Sequence, residues 1–410
     1  MDSHQLLKFV ITSSVILFLI DVYCLLSWQR FVKNMRWNKW VSRVPWIISI
    51  TLLFLSPYVS FQRSNTARLD DWLYALFIVT ILWYIPKLPI AIFLVCKDIV
   101  YALYLGIRKL VKKKTQPEPE TTNESRRKII QSTAWSIATV PFFVIGRGMT
   151  NVDNIEVFYH DLELPKLTSA FDGIKIIQIS DIHAGSFRDY RPFQEARRII
   201  ETHKPDLLLI TGDFVNFQSN ELAIIRPELE KLKADLGVWA SLGNHDHYTS
   251  KSDHDRIKSI VTNSGIKLLV NENHQFTIDN EVLQLIGTDN TGLGQNFADL
   301  PTALIGTIPD YPTILMAHDP TFWDKEIRGK TQIDLMLSGH THGGQFAMDF
   351  FGKQVSPAQF VYKQWAGLYS DAHQHLYVNR GLGTVGIPVR VGIPPEITVI
   401  TLRKQKTLLG

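Results

Sequence analysis

The stretch SGHTHGGQF, Ser338–Phe346, puts two histidines one residue apart, with glycine before them and two glycines after. Neutral imidazole is the commonest protein metal ligand, and glycines let backbone curl closely around a small, crowded centre. Residues of the same chemical kind recur upstream: Asp181 and His183 in DIH, Asp213 in GD, Asn244, His245 and Asp246 in GNHD, and His318 in AH. Carboxylate, amide and imidazole donors without thiolate suit Mn²⁺, Fe, Zn²⁺ or Mg²⁺. Taken singly, each motif reads equally well as a turn or a cap. Taken together they point to one shared cation site.

The elements that must position these residues are short apolar runs. IKIIQIS precedes Asp181, DLLLITG precedes Asp213, GVWASLG precedes Asn244, TILMA precedes His318 and IDLMLSG precedes His340. Runs of four to seven residues rich in Ile, Leu and Val suit buried strands better than helices. Helical stretches such as YRPFQEARRIIETH intervene, so strands and helices alternate. In open α/β sheets ligands gather where loops leave the carboxyl ends of strands, so five such ends can converge on one point.

The first 150 residues are a different material. They carry 19 Lys+Arg against 8 Asp+Glu, whereas the rest carries 24 against 31. The basic balance therefore belongs to the N-terminal part, and the acidic remainder argues against strong nucleic-acid backbone binding. Residues 6–28, 44–61 and 72–95 are apolar stretches of membrane-spanning length, the third interrupted by Pro86, Lys87 and Pro89 and continued by 96–110, which could lie at the interface. Asp21 and Lys87 are the few charges inside them, too few to suggest an ion path. Lys and Arg cluster in the first loop and after the third span, which places those segments in the cytoplasm and the N-terminus outside. TQPEPETTNE, residues 115–124, reads as a linker, and SRRKIIQSTAWSIATVPFFVIGRG, 125–148, resembles a twin-arginine signal without an evident cleavage site. The expected organisation is 1–110 transmembrane with about three spans, 111–128 basic linker, 129–148 a signal-anchor-like segment and 150–403 a catalytic domain. If 129–146 crosses, that domain lies on the extracytoplasmic side of a cell membrane. Cys24 and Cys96 both sit in the apolar region, which excludes a disulfide framework or Cys-type zinc site.

The ordered set DIH, GDFVN, GNHD, AH and GHTH over roughly 155–402 resembles the calcineurin-like metallophosphoesterase superfamily. With the apolar leader, GHTHGGQ and the late VNRGLG, it looks most like the membrane-associated subfamily that includes the YkuE and YaeI phosphoesterases. The resemblance implies an α/β protein, a four-layer α-β-β-α sandwich with two mixed sheets, preceded by a bundle of transmembrane helices. It implies that Asp181, His183 and His342 hold one divalent ion, Asn244, His318 and His340 a second, and that Asp213 bridges both. His245 would stand beside the ions without binding them, stabilising the transition state or protonating the leaving oxygen, with Asp246 orienting its ring. Two ions roughly 3.5–4 Å apart clamp a phosphoryl group and bring the pKa of water to about 7, so a bridging hydroxide would attack phosphorus in line. Mn²⁺ is the first expectation among the possible ions. Asn216 departs from the second acid of a GDxxD pattern, which bears on metal tuning.

The expected activity is membrane-tethered hydrolysis of phosphomono- or diesters, of small-molecule, lipid or cell-envelope type. Nucleic acid is not an expected partner, and no obligate protein partner is indicated. Alternatives are a pyrophosphatase of a nucleotide-linked lipid precursor of UDP-diacylglucosamine type, and a non-catalytic binding module on the same fold. Arg380 and Arg390 are weaker candidates for substrate phosphate, with structural salt bridges as the competing reading. The aromatics from Phe350 to Tyr369 either line a pocket for an apolar tail or pack as an insertion. His247, His254, His373 and His375 read as surface residues.

Overall fold

The computed structural model describes residues 3–111, 124–292 and 294–405. It divides into two compact units, one of residues 1–63 and 69–147, the other of 64–68 and 148–410. The basic linker expected at 111–128 falls mostly outside the described residues.

The first unit is helical: α1 (Ser3–Asn34), α2 (Trp40–Asn65), α3 (Asp71–Tyr84), α4 (Lys87–Val111), α5 (Glu124–Ile137) and α6 (Val140–Thr150). Among the described residues, four stretches are long and apolar enough to cross a membrane: Ile11–Asn34, Trp40–Asn65, Asp71–Leu110 and Glu124–Thr150. Exposed side chains such as Phe54, Ile92, Phe93 and Phe143 suit a lipid surround rather than water. The break at Ile85 and Pro86 follows from proline, which supplies no N–H to a helix interior. The continuation 96–110 runs on from the third apolar stretch as the second half of α4. Asp21 and Lys87 pair with each other, Lys87 Nζ lying 2.7 Å from Asp21 Oδ1, while Trp83 Nε1 and Ser49 Oγ donate to Asp21 Oδ2. Two charges that would be costly alone in an apolar bundle thereby tie α1 to α2, α3 and α4.

The second unit is built on β1 (Glu156–Leu164), β2 (Lys175–Ile179), β3 (Leu207–Thr211), β4 (Val238–Ser241), β5 (Lys267–Leu268), β6 (Glu272–Ile278), β7 (Glu281–Gly287), β8 (Thr291–Gly292), β9 (Gln295–Asn296), β10 (Thr313–Met316), β11 (Leu335–Ser338), β12 (Met348–Phe350), β13 (Lys353–Val355), β14 (Gly367–Asp371), β15 (Gln374–Val378) and β16 (Glu396–Lys404). Two six-stranded mixed sheets run in the orders β1-β16-β2-β3-β4-β5 and β14-β15-β11-β10-β7-β6. Within them β2, β3 and β4 are parallel neighbours, as are β7, β10, β11 and β15. Alternate residues face opposite ways. Ile176, Leu207, Leu209, Ile314, Met316, Leu335 and Leu337 fill the space between the sheets. Ile177, Ile179, Leu208 and Ile210 turn outward onto α7 (Arg191–His203) and its neighbours, and Ile286, Leu315 and Met336 pack under Phe322 and Trp323. Both faces of each central strand are covered, which is why those strands read as unbroken apolar runs. The result is the four-layer α-β-β-α sandwich.

Candidate metal centre

The five apolar runs are β2, β3, β4, β10 and β11, three in one sheet and two in the other. Each releases its polar residues at the carboxyl end, so the loops meet where the two sheets meet. Five of the seven expected ligands turn there with positive φ: Asp181 at 49°, His183 at 44°, Asp213 at 57°, His340 at 73° and His342 at 50°. That region costs a non-glycine residue about 1–3 kcal/mol, and such strain gathers at functional sites. Crowding also explains the glycines. A Cβ on Gly339 would lie 2.1 Å from Asp181 Oδ2, and one on Gly243 would lie 2.2 Å from Asp213 Oδ1. Only a bare backbone fits beside those carboxylates.

The ligand atoms converge. His342 Nε2 lies 3.2 Å from Asp181 Oδ1 and 3.0 Å from His183 Nε2. His318 Nε2 lies 3.1 Å from Asp213 Oδ2 and 3.2 Å from Asn244 Oδ1, and His340 Nδ1 lies 2.8 Å from that same amide oxygen. His183 Nε2 is 3.5 Å from Asp213 Oδ2, so Asp213 stands between the two groups. Among the described residues Asp181, His183 and His342 form one potential cation cluster, Asp213, His318 and His340 another, and His183, Asp213 and His245 a third that overlaps both, all buried or nearly so.

The surrounding hydrogen bonds decide where the protons sit. His183 Nδ1–H donates to the Val215 carbonyl at 3.1 Å, and His318 Nδ1–H to the Thr211 carbonyl at 2.6 Å. Each therefore turns an Nε2 lone pair into the cluster. Asn244 Nδ2 donates to Tyr248 Oη at 2.8 Å, which aims Oδ1 inward. Acceptors then face acceptors at about 3 Å, an arrangement that only a shared cation or an added proton can stabilise. His342 Nδ1 is buried with no partner, consistent with a ring whose orientation is set by Nε2. The donor set fits divalent cations. In their absence burial pushes the His318 imidazole down, but the Asp213 and Asp181 carboxylates outweigh it and hold it at about 10. Burial pushes His340 down to about 4 and holds His183 well below the ordinary histidine range. Burial alone would raise Asp213, yet the imidazoles of His318 and His245 draw it well below the usual carboxylate range.

His245 lies beside both clusters, its ring 4.7 Å from that of His183, and its backbone N–H donates to Asp213 Oδ1 at 2.8 Å. Its Nδ1–H donates to the backbone carbonyl of Asn216 at 2.8 Å, leaving Nε2 toward the site. Burial pushes this imidazole below its ordinary value. Asp246 does not orient that ring. Its carboxylate instead accepts from the backbone N–H groups of Asp213, Phe214 and Gly243 at 2.9–3.0 Å, pinning the β3 loop to the β4 loop.

Arg380 and Arg390 are both buried in structural roles. Arg380 Nη1 pairs with Glu396 at 2.5 Å, and Arg390 Nη2 donates to the carbonyls of Arg380, Gly381 and Gly383. Both guanidinium groups are thus engaged by the protein itself, with Arg390 Nε left buried and unpartnered. His247 and His254 are half-buried rather than superficial: their rings stack, and His247 Nε2 lies 2.6 Å from Asp289. His375 is half-buried beside Ser370 Oγ at 2.8 Å, and His373 alone of the four is exposed.

Three residues escape the strand-end rule. Glu221, buried, accepts from the N–H groups of Gly185, Asn216, Phe217 and Gln218, and burial pushes it up to about 7. Tyr362 Oη sits 3.0 Å from His340 Nε2, and Asp319 Oδ2 3.8 Å from it. The only sequence signal for these was the aromatic run containing Tyr362 and the acid directly after His318.

Comparison with known proteins agrees with this geometry. Family descriptions of the transmembrane domain of calcineurin-like phosphoesterases and of the calcineurin-like phosphoesterase domain match residues 7–152 and 174–344. The metallophosphoesterase YkuE of Bacillus subtilis (strain 168) is 33% identical over 61% of this chain and 86% of its own length. Phosphodiesterase YaeI of Escherichia coli (strain K12) is 29% identical over 68% of this chain and 99% of its own. A metallophosphoesterase of Campylobacter jejuni, Cj0846, is 25% identical across 97% of this chain and 100% of its own, so the similarity includes the helical unit. The chain belongs to the calcineurin-like metallophosphoesterases, in a membrane-associated branch that carries its own spans.

Proposed function

We propose that this protein is a membrane-tethered hydrolase of phosphodiesters, and more weakly of monoesters, that works with two divalent cations. The observation carrying the reading is the convergence of the His183, His318 and His342 Nε2 atoms on the Asp181, Asp213 and Asn244 oxygens. Asp181, His183 and His342 would hold one cation, Asn244, His318 and His340 the other, and Asp213 would reach both. Bound there, the cations would supply charge neutralisation on phosphoryl oxygens and a water acidic enough to act as nucleophile. Mn²⁺ is our first assignment, with Fe, Zn²⁺ and Mg²⁺ accepted by the same donors.

The chain's own residues do the rest. The Val215 and Thr211 carbonyls hold the tautomers of His183 and His318. The Asn216 carbonyl holds His245 with Nε2 facing the site, where an entering phosphate anion would favour the imidazolium and bring a proton to the leaving oxygen. The preference for diesters draws on YaeI, whose name records a phosphodiesterase. For topology we favour a catalytic unit outside the cytoplasm, from the Lys and Arg distribution across the loops and the candidate span Glu124–Thr150.

The test is turnover of bis-p-nitrophenyl phosphate and p-nitrophenyl phosphate by the full chain in detergent, stripped of metal and then titrated with Mn²⁺, Zn²⁺ and Mg²⁺. Cation-dependent turnover of the diester, lost in Asp213→Ala, supports the reading. Full cation occupancy with no turnover of either ester would refute it.

A further inference from the structure

The segment expected to be either a tail pocket or a packed insertion is neither. It is a lobe rooted in the metal loop and apolar at its tip. Three contacts fix the root: Ser356 Oγ donates to the Gly343 carbonyl at 2.7 Å, Thr341 Oγ1 to the Trp365 carbonyl at 2.6 Å, and Tyr362 Oη lies 3.0 Å from His340 Nε2. All three partners lie within His340–Gly343, so the lobe cannot shift without disturbing two expected ligands. Above the root, the β12–β13 hairpin and the turn after Pro357 present large apolar side chains outward. The accessible fractions of Phe351, Phe360 and Val361 are 105%, 84% and 73%, and those of Met348 and Phe350 are 62% and 49%.

Soluble surfaces scatter single apolar residues but rarely cluster several phenylalanines beside a catalytic centre. The chain itself narrows what covers this cluster. The last candidate span ends at Thr150, and the first strand of the catalytic unit begins at Glu156. Five intervening residues reach at most roughly 20 Å, which keeps the start of the catalytic unit close to the end of that stretch. Lys353 and Asp349 are exposed at the tip, and Lys363 beside it is exposed with its Nζ 3.9 Å from Asp324 Oδ2, so lysines able to meet headgroup phosphates border the apolar cluster.

We propose that the lobe Met348–Val361 seats in the outer layer of the bilayer and presents membrane-resident phosphoesters, their apolar tails still in lipid, to the metal centre. The substrate half of this inference rests on the hydrolase reading above; the bilayer half does not. Phe351 and Phe360 enter the acyl boundary, Lys353 and Lys363 meet headgroup phosphates, and the rigid root sets the height at which a phosphoryl group meets His340.

The experiment uses the full chain in nanodiscs of phosphatidylcholine and phosphatidylglycerol. In a Cys24→Ala, Cys96→Ala background, an NBD fluorophore is attached at Phe351→Cys and, separately, at Lys233→Cys on an exposed loop. The expected result is blue-shifted emission at position 351, quenched by doxyl-labelled lipid, with neither effect at 233. Water-like emission at 351, or blue-shifted emission without lipid quenching (the mark of a protein cover), overturns the bilayer contact. In the second arm, Phe351→Ser with Phe360→Ser is assayed on p-nitrophenyl hexadecyl phosphate in the nanodisc and on soluble bis-p-nitrophenyl phosphate. Turnover of the alkyl ester falls about tenfold while the soluble ester stays within about twofold. Equal effects on both esters overturn the substrate half. Absence of soluble-ester turnover in the parent would instead count against the hydrolase reading and leave the fluorophore result standing.

Discussion

Asp246 separates two accounts of the centre, and replacing it with asparagine distinguishes them. If its carboxylate oriented His245, Asp246→Asn would leave the fold intact and remove turnover, because the imidazole would lose its tautomer. The geometry assigns it another task. Oδ2 accepts from the N–H of Asp213 and of Gly243, and Oδ1 from that of Phe214. An asparagine has one acceptor oxygen, so at least one of these buried N–H groups must face an NH₂ instead. An orphaned buried donor costs about 1–3 kcal/mol. Counting the backbone N–H and the NH₂ opposite it, the cost comes to about 2–5 kcal/mol. For a unit of this size that is an apparent Tm lower by about 5–15 °C. The loops carrying Asp213 and Asn244 would also separate, so cation affinity should fall with stability. The assay is thermal unfolding followed by tryptophan fluorescence, with bound metal counted on the same sample. A variant that melts within about 2 °C of the parent and keeps its cations, yet loses turnover, would refute this reasoning.

Four further outcomes follow from the same contacts. His245→Gln should lower kcat of the diester at least about a hundredfold while leaving metal content near the parent value, since the ring makes its own bond to the Asn216 carbonyl and the backbone N–H on Asp213 is kept in the variant. Tyr362→Phe removes the hydroxyl on His340 Nε2 and should weaken one of the two cations about tenfold or more, read by titration against a chelator. Metal binding should release about one proton at pH 7–8, because His318 is held at about 10 until a cation displaces its proton; affinity then rises with pH up to that value, measured in buffers of different ionisation enthalpy. In chelated protein the same group has the opposite sign: a histidine raised above its unfolded value of about 6.5 stabilises the fold fully below that pH, and the contribution is lost as pH rises through about 10, seen as a falling Tm.

What the sequence made legible follows from where each function resides. The candidate ligands could be gathered from the sequence because they lie at the ends of apolar runs, and a strand buried on both faces writes itself as such a run. The membrane-spanning stretches could be read because length and hydropathy suffice. Asp246 was misread because its neighbour in the chain is His245, while its partners are backbone groups of Asp213, Phe214 and Gly243. For Arg380 and Arg390 the sequence left substrate phosphate and structural salt bridges both open, because the acid that engages one lies 16 residues on, and the carbonyls that engage the other belong to the loop itself. Asn216 shows the same limit from the other side. As a side chain it departs from the expected acid and makes one long bond, Nδ2 to the His183 carbonyl at 3.4 Å, while its carbonyl holds His245 and its N–H is held by Glu221. Every residue type except proline has both groups, so a position that works through its backbone constrains the chain's path and leaves the letter almost free. The departure at 216 therefore predicts little loss of function, whereas Glu221, which no motif marks, fixes the path on which that carbonyl depends.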